Sequence, residues 1–157
     1  IFNHGDLMKK IFPIFLLVIH STISYAAQIQ ADVTKTRQLE NALLCEKPLS
    51  PKKIYNLVSE LNGTNPQNRS DSFRGIYTVP FGFYILNQQV TEFNITRFLA
   101  DDERYTYRYS TPLPNLSPSE AASLLGIKQN DETKQYERKN LSIHVENGRT
   151  VLTCLFR

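Results

Sequence analysis

The chain has 157 residues, of which 41% are hydrophobic and 21% are charged, and its formal net charge at neutral pH is +3. This length suits one domain that buries its own core. The positive excess is small and no basic run exceeds two residues. The composition therefore does not predict nucleic-acid binding.

Residues 8–26 have the pattern of a secretory signal peptide. A lysine pair follows Met8, an apolar run covers 11–19, and Ser24 and Ala26 fit a small-residue cleavage site. The apolar run is about half as long as a membrane-spanning helix needs to be. The pattern predicts a periplasmic or secreted protein with no stable membrane span after cleavage. A retained anchor is the less favoured alternative.

This pattern divides the chain into three parts. Residues 1–7 precede Met8, which is the only methionine, and we interpret them as translated upstream sequence or a cloning remnant. Residues 8–26 are the predicted signal peptide. Residues 27–157 are the predicted mature chain, a single α+β domain.

The predicted mature chain contains two cysteines, Cys45 and Cys154. In an oxidising compartment, such a pair most simply forms one disulfide. The closed loop would hold about 110 residues, for which the chain-entropy model gives roughly 4–5 kcal/mol of stabilisation. The alternative is a pair of buried free thiols.

Helical spacing of apolar residues predicts a first helix within 27–44. This helix must end near Glu46, because Lys47 precedes Pro48 and is biased away from helical conformation. Cys45 is therefore expected at its C-terminal end.

The tripeptide Leu-Ser-Pro opens each of the next two predicted helices. Ser50 and Ser117 are the expected N-caps, each followed by proline at the first helical position. Glu120 completes a capping box with Ser117, and Gly63 and Gly126 are the predicted helix ends. The recurrence suggests two halves, each with a helix followed by strands.

Aromatic and β-branched residues predict strands at about 74–79, 82–86, 90–98 and 104–109. Pro80 cannot donate a ladder hydrogen bond, so it indicates an edge strand, a bulge or a strand break. The polar segments 64–72 and 101–103 are predicted to be loops.

The last strands form the clearest pattern. Asn147-Gly148 predicts a type I′ hairpin turn, in whose register Glu146 faces Arg149 and Leu141 faces Cys154. Alternation then places Cys154 on the apolar face. The predicted fold class is α+β, an antiparallel sheet with helices packed on one face and one disulfide between the first helix and the last strand.

Few residues suit catalysis or metal binding. His144 is the only histidine of the predicted mature chain, and with two disulfide-bonded cysteines it does not supply the ligands of a zinc site. No G-x-S-x-G or H-E-x-x-H motif occurs. The sequence predicts a non-enzymatic protein with no catalytic residue, no metal and no cofactor.

Alternation in the strand at 104–109 suggests a binding surface. Tyrosines occupy one face, and tyrosine is enriched at protein interfaces. Arginines occupy the other face and would suit an acidic partner. Alternation does not say which face is exposed. The candidate binding residues are Arg104, Tyr105, Tyr107, Arg108, Tyr109 and His144.

The element order, the Leu-Ser-Pro helix openings and the terminal cysteine resemble small exported α+β proteins of Gram-negative bacteria. The arrangement is similar to β-lactamase-inhibitor-protein-like half-domains and to the small outer-membrane assembly lipoproteins. The chain lacks the lipoprotein cysteine of the latter. The resemblance implies an exported protein and transfers no functional residue.

Export and the lack of catalytic motifs favour a periplasmic module that binds another envelope or exported protein. An inhibitor, an immunity protein and an envelope-assembly accessory protein all fit this description. The alternative is a small-ligand-binding or cell-wall-active protein that uses the acidic cluster Asp101, Asp102 and Glu103. Paired carboxylates can serve glycoside hydrolysis or bind calcium.

Overall fold

The computed structural model describes residues 32–66, 74–99 and 104–157. The chain separates into two units, Ile1–Thr34 and Lys35–Arg157. Of the first unit only 32–34, at the start of a helix, are described, so the fold below is that of the second unit. The predicted signal peptide at 8–26 and the acidic cluster at 101–103 lie outside the described residues. No described helix is long and apolar enough to cross a membrane.

The described residues form three helices: α1 at 32–43, α2 at Pro51–Glu60 and α3 at Pro118–Leu124. The predicted openings of α2 and α3 are confirmed. The Ser50 hydroxyl accepts a hydrogen bond from the Lys53 N–H at 3.4 Å. Ser117 and Glu120 form the predicted reciprocal capping box, in which the Ser117 N–H donates to Glu120 Oε2 at 2.8 Å.

All three helices end in the same hydrogen-bonded motif, with one left-handed residue just after the helix. Those residues are Cys45, Asn62 and Gly126, with φ of 58°, 56° and 64°. In each case the next residue's N–H bonds back across the last turn, as from Glu46 to the Asn41 carbonyl at 2.9 Å. The prediction that Cys45 lies at the end of α1 is therefore confirmed.

The prediction that Gly63 ends α2 is wrong by one residue. Asn62 takes the left-handed conformation, which asparagine tolerates better than most residues. Gly63 meets a different need, because a Cβ there would lie 2.6 Å from Val58 Cγ1 and collide with the Thr78 carbonyl oxygen. The glycine allows the end of α2 to approach the first strand.

The strands form one antiparallel six-stranded sheet in the order β1-β2-β3-β6-β5-β4. Their bounds are Gly75–Ile85 (β1), Gln88–Leu99 (β2), Tyr105–Pro112 (β3), Tyr136–Arg138 (β4), Leu141–Glu146 (β5) and Arg149–Phe156 (β6). The short strand β4 was not among the predicted elements.

The separate strands predicted at 74–79 and 82–86 are one strand, β1. Its pairing with β2 shifts register between Thr78 and Phe83, so this stretch forms a bulge that includes Pro80 and Gly82, whose φ is 65°. Because β1 is an edge strand, Pro80 interrupts no ladder on its outer side. Two of the three interpretations of Pro80, an edge and a bulge, therefore hold together.

The C-terminal hairpin has the predicted register. Glu146 pairs with Arg149 and Leu141 with Cys154. Asn147 and Gly148 both have positive φ, at 51° and 75°, as a type I′ turn requires.

The core lies between the helices and one face of the sheet, here called the helix face. It carries buried side chains from neighbouring strands, including Phe93, Tyr109, Leu152 and Ile143. Residues of α1, α2 and α3 belong to the same core cluster. The predicted disulfide between Cys45 and Cys154 is present, with its Cα atoms 5.5 Å apart. The α+β fold class is thus as predicted.

The element order repeats, as the two Leu-Ser-Pro openings suggested. Helix α2 followed by β1, β2 and β3 corresponds to α3 followed by β4, β5 and β6. In the sheet, the two sets run in opposite order and meet where β3 pairs with β6. Each half also places one bridging residue beside its first strand, Thr64 beside Thr78 and Gln129 beside Tyr136.

The capping box of α3 provides a stability test. Replacing Ser117 by alanine should cost about 1 kcal/mol at neutral pH, because an N-cap hydrogen bond is lost. Hydrogen bonds from the Ser117 side chain and backbone lower the pKa of the exposed Glu120 carboxyl. A carboxyl group whose pKa is lower in the folded state stabilises the fold at pH values above its unfolded-state pKa. This contribution is lost as the pH falls through the folded-state pKa.

The difference between wild type and Ser117→Ala should therefore shrink in acid, as urea unfolding at neutral and acidic pH would measure. Ser123→Ala, at an exposed position of the same helix, is the matched control and should change stability by less than about 0.5 kcal/mol. A Ser117→Ala protein as stable as this control would contradict the capping argument.

Candidate functional site

The sheet surface opposite the helix face is here called the open face. None of the three described helices contributes to it, since their buried residues share the core with the helix face. Cross-strand pairing places Asn94 beside Ser110, and Ser110 beside Thr153. His144 and Val151 are paired in the same way. Alternation along each strand therefore assigns these side chains to the open face.

A pocket of about 230 Å³ lies on the open face. Ser110 on β3 and Val151 on β6, the two central strands of the sheet, are among its lining residues. It extends over β1, β2, β3, β5 and β6. Its lining residues on the open face are Ile76, Glu92, Asn94, Thr96, Arg108, Ser110, Pro112, His144, Glu146 and Val151. Phe93 also lines it, although its side chain belongs to the core on the helix face.

The pocket has mixed charge. Arg108 lies with its guanidinium carbon 5.3 Å from the centre of the Phe98 ring, a cation–π distance. His144 Nε2 is 3.9 Å from Glu146 Oε2. Glu92 adds a second carboxylate. Sequence reasoning predicted a cationic arginine face suited to an acidic partner, but the neighbouring strands bring two carboxylates to the same surface.

The structure separates the six candidate binding residues. Arg108 and His144 line the pocket on the open face. Arg104 is exposed and immediately precedes β3. The three tyrosines of β3 lie on the other side of the sheet, the helix face. Alternation did not say which face of this strand is the open one, and the structure shows that it is the face with the arginines.

Tyr109 is a core residue. Its side chain is fully buried, and its hydroxyl donates to the Leu49 carbonyl at 2.6 Å. Burial raises the pKa of the Tyr109 phenol well above its usual range. Tyr107 is half-buried against the core. Tyr105 is exposed, and the Arg97 guanidinium carbon lies 4.2 Å from the centre of its ring.

Sequence reasoning did not select Glu92, Asn94, Ser110 and Glu146 as candidate binding residues. The alternation of side chains along each strand could have assigned them to the polar face. What the sequence does not provide is the pairing of β3 with β6, which brings residues of the two halves to one pocket. Among the described residues, no group of three or more His, Cys, Asp or Glu could hold a metal ion.

Local hydrogen bonds occupy part of the outer edge of β1. Thr64 and Thr78 exchange two backbone hydrogen bonds of 2.9 and 3.0 Å. Pro80 has no N–H to offer. Beyond it, the Tyr84 N–H donates to Glu40 Oε1 at 3.2 Å. An added strand would have to displace these groups.

The opposite edge is formed by β4, which has only three residues. There Gln129 forms an isolated bridge to Tyr136. Short, locally covered edges protect a sheet from strand addition. Among the described residues, the open face is the large sheet surface that no helix covers.

The chain matches no protein-family model, and comparisons with curated proteins and with solved structures give no match.

Proposed function

We propose that this is a non-enzymatic exported protein that binds another envelope or exported protein through the open face of its sheet. An inhibitor, an immunity protein or an envelope-assembly accessory protein would act in this way. The observation that carries the proposal is a sheet face that none of the described helices covers and that holds a pocket of mixed charge.

Export is supported by two independent features. The pattern of 8–26 is that of a cleavable leader, and the Cys45–Cys154 disulfide suits an oxidising compartment. The composition of the pocket suits recognition, since it combines an arginine over an aromatic ring with hydroxyl and amide groups. Arginine and aromatic residues are enriched at protein interfaces.

Site-specific photo-crosslinking in the producing cell tests the binding face. A benzophenone side chain at Thr96, on the open face, should give an adduct with one envelope or exported protein. The same side chain at Lys53, exposed on α2, is the matched control and should not capture that protein. Equal capture from both positions, or capture from Lys53 alone, would contradict the proposal.

A blocking substitution gives a second expected result. Ser110 lines the pocket, so Ser110→Trp should obstruct it and weaken binding of the crosslinked protein by about tenfold or more, as expected when the centre of an interface is blocked. Biolayer interferometry with the purified partner would measure the change. Lys53→Trp is the control for a large side chain elsewhere, and an unchanged affinity in Ser110→Trp would exclude the pocket from the interface.

A further inference from the structure

The charges of the pocket indicate what kind of segment it would bind. Resting on the proposed function, we infer that the pocket takes an extended segment of the partner protein that carries one acidic and one basic side chain four residues apart. The acidic side chain lies on Arg108 and the basic side chain on Glu92.

Arg108 provides the cationic end. It is exposed on β3, lines the pocket and has the Phe98 ring as its contact. No carboxylate of the described residues lies within ion-pair distance of it. A guanidinium that is already oriented by an aromatic ring and lacks an acidic neighbour is a ready partner for a carboxylate.

Glu92 provides the anionic end. It is exposed on β2 and lines the same pocket, and no ion pair of the described residues includes it. The other carboxylate of the pocket, Glu146, already faces His144. Of the two pocket carboxylates, Glu92 is therefore the one that an incoming ammonium or guanidinium can approach without displacing an ion-pair partner among the described residues.

The spacing of the two ends selects an extended segment. Arg108 pairs with Thr96 across the ladder, and Thr96 is four residues from Glu92 on β2. A rise of 3.3 Å per residue and one strand spacing place their Cα atoms about 14 Å apart. Side chains four residues apart in an extended peptide lie on one face at a similar distance, about 13 Å.

The pocket surface between Glu92 and Arg108 suits a peptide backbone. Asn94 and Ser110 are paired across β2 and β3 and line the pocket between Glu92 and Arg108. Their amide and hydroxyl groups can both donate and accept hydrogen bonds. Such groups match the alternating N–H and C=O groups of an extended segment. A purely acidic segment would place a carboxylate against Glu92, and a purely basic segment would place a cation against Arg108.

Synthetic peptides test the charge pattern directly. The probes are two end-blocked heptapeptides, Thr-Glu-Thr-Val-Thr-Lys-Thr and its reverse, Thr-Lys-Thr-Val-Thr-Glu-Thr. The control Thr-Glu-Thr-Val-Lys-Thr-Thr has the same composition but sets the charges three residues apart, on opposite faces. Amide chemical-shift titration of the purified protein measures affinity and reports whether the open face responds.

One of the two matched probes should bind about two- to fivefold more tightly than the control, the gain expected from exposed ion pairs. The double variant Arg108→Glu/Glu92→Arg exchanges the two ends, so it should prefer the other matched probe. Equal binding of all three peptides, or an unchanged preference in the double variant, would overturn the inference. Both substituted residues are exposed, and the amide spectrum of the variant checks its fold.

The two proposals fail in different ways. Crosslinking from Thr96 that persists at full strength in the double variant would leave the open face as the binding surface and refute the charge pattern. Loss of crosslinking in the double variant, together with a reversed peptide preference, would support both. No adduct from Thr96 in the wild-type protein would refute the proposed function itself.

Discussion

Replacing Cys154 by alanine should destabilise the protein by about 4–5 kcal/mol, the chain-entropy value for a closed loop of this length. The disulfide joins residues 109 positions apart, and Cys154 is fully buried, so the substitution also leaves a small void. Since domains of this size are stable by about 5–15 kcal/mol, much of the folding free energy would be lost. Urea unfolding followed by circular dichroism would measure it.

Substitutions at Cys45 distinguish the contribution of the disulfide to stability from the cost of the backbone conformation at this residue. Cys45 has a φ of 58°, which costs most residues about 1 kcal/mol and glycine little. Cys45→Gly and Cys45→Ala both remove the disulfide, but the glycine variant should be about 1 kcal/mol more stable than the alanine variant. Reduced wild-type protein that unfolds at the same urea concentration as the oxidised form would contradict the predicted stabilisation.

Replacing Phe93 by alanine should cost about 3–5 kcal/mol, the range for deleting a buried aromatic side chain. Phe93 is 1% exposed. Its ring stacks on Tyr77 with centroids 5.1 Å apart and meets the Phe83 ring edge-on at 6.1 Å. The substitution would remove the central ring of this cluster on the helix face of β1 and β2.

Phe81→Ala is the matched control, because the same atoms are removed from a side chain that is 86% exposed. It should change the free energy of unfolding by no more than about 0.5 kcal/mol. Thermal unfolding of both variants would give the comparison. Similar losses for the two would show that the aromatic cluster is not where β1 and β2 gain their stability.

The local parts of the fold were predictable because short-range chemistry decides them. Ser50 and Ser117 mark helix starts with their own hydroxyls, and Asn147-Gly148 fixes both a turn and the register of its hairpin. That register placed Cys154 on the apolar face, which supported the disulfide expected for a pair of cysteines in an oxidising compartment. The signal peptide and the protein-binding function stay predictions.

Other parts depend on contacts between distant segments. Pro80 predicts a break between two strands, yet β1 continues through it. An edge strand can contain a bulge and still keep its hydrogen bonds to its one neighbour, here β2. Gly63 looks like a helix end, but its role is to make room for Thr78. The pocket depends on β3 lying beside β6, and no local pattern in either strand encodes that neighbour.

The disulfide between α1 and β6 has a topological consequence. Together with the backbone from Cys45 to Cys154, it closes a covalent ring that contains every pocket residue and both repeated halves except the last two residues of β6. A protease that cuts one peptide bond inside this ring opens it without releasing a fragment. The nicked protein keeps its mass, apart from one added water, and both halves of its pocket stay tethered until the disulfide is reduced.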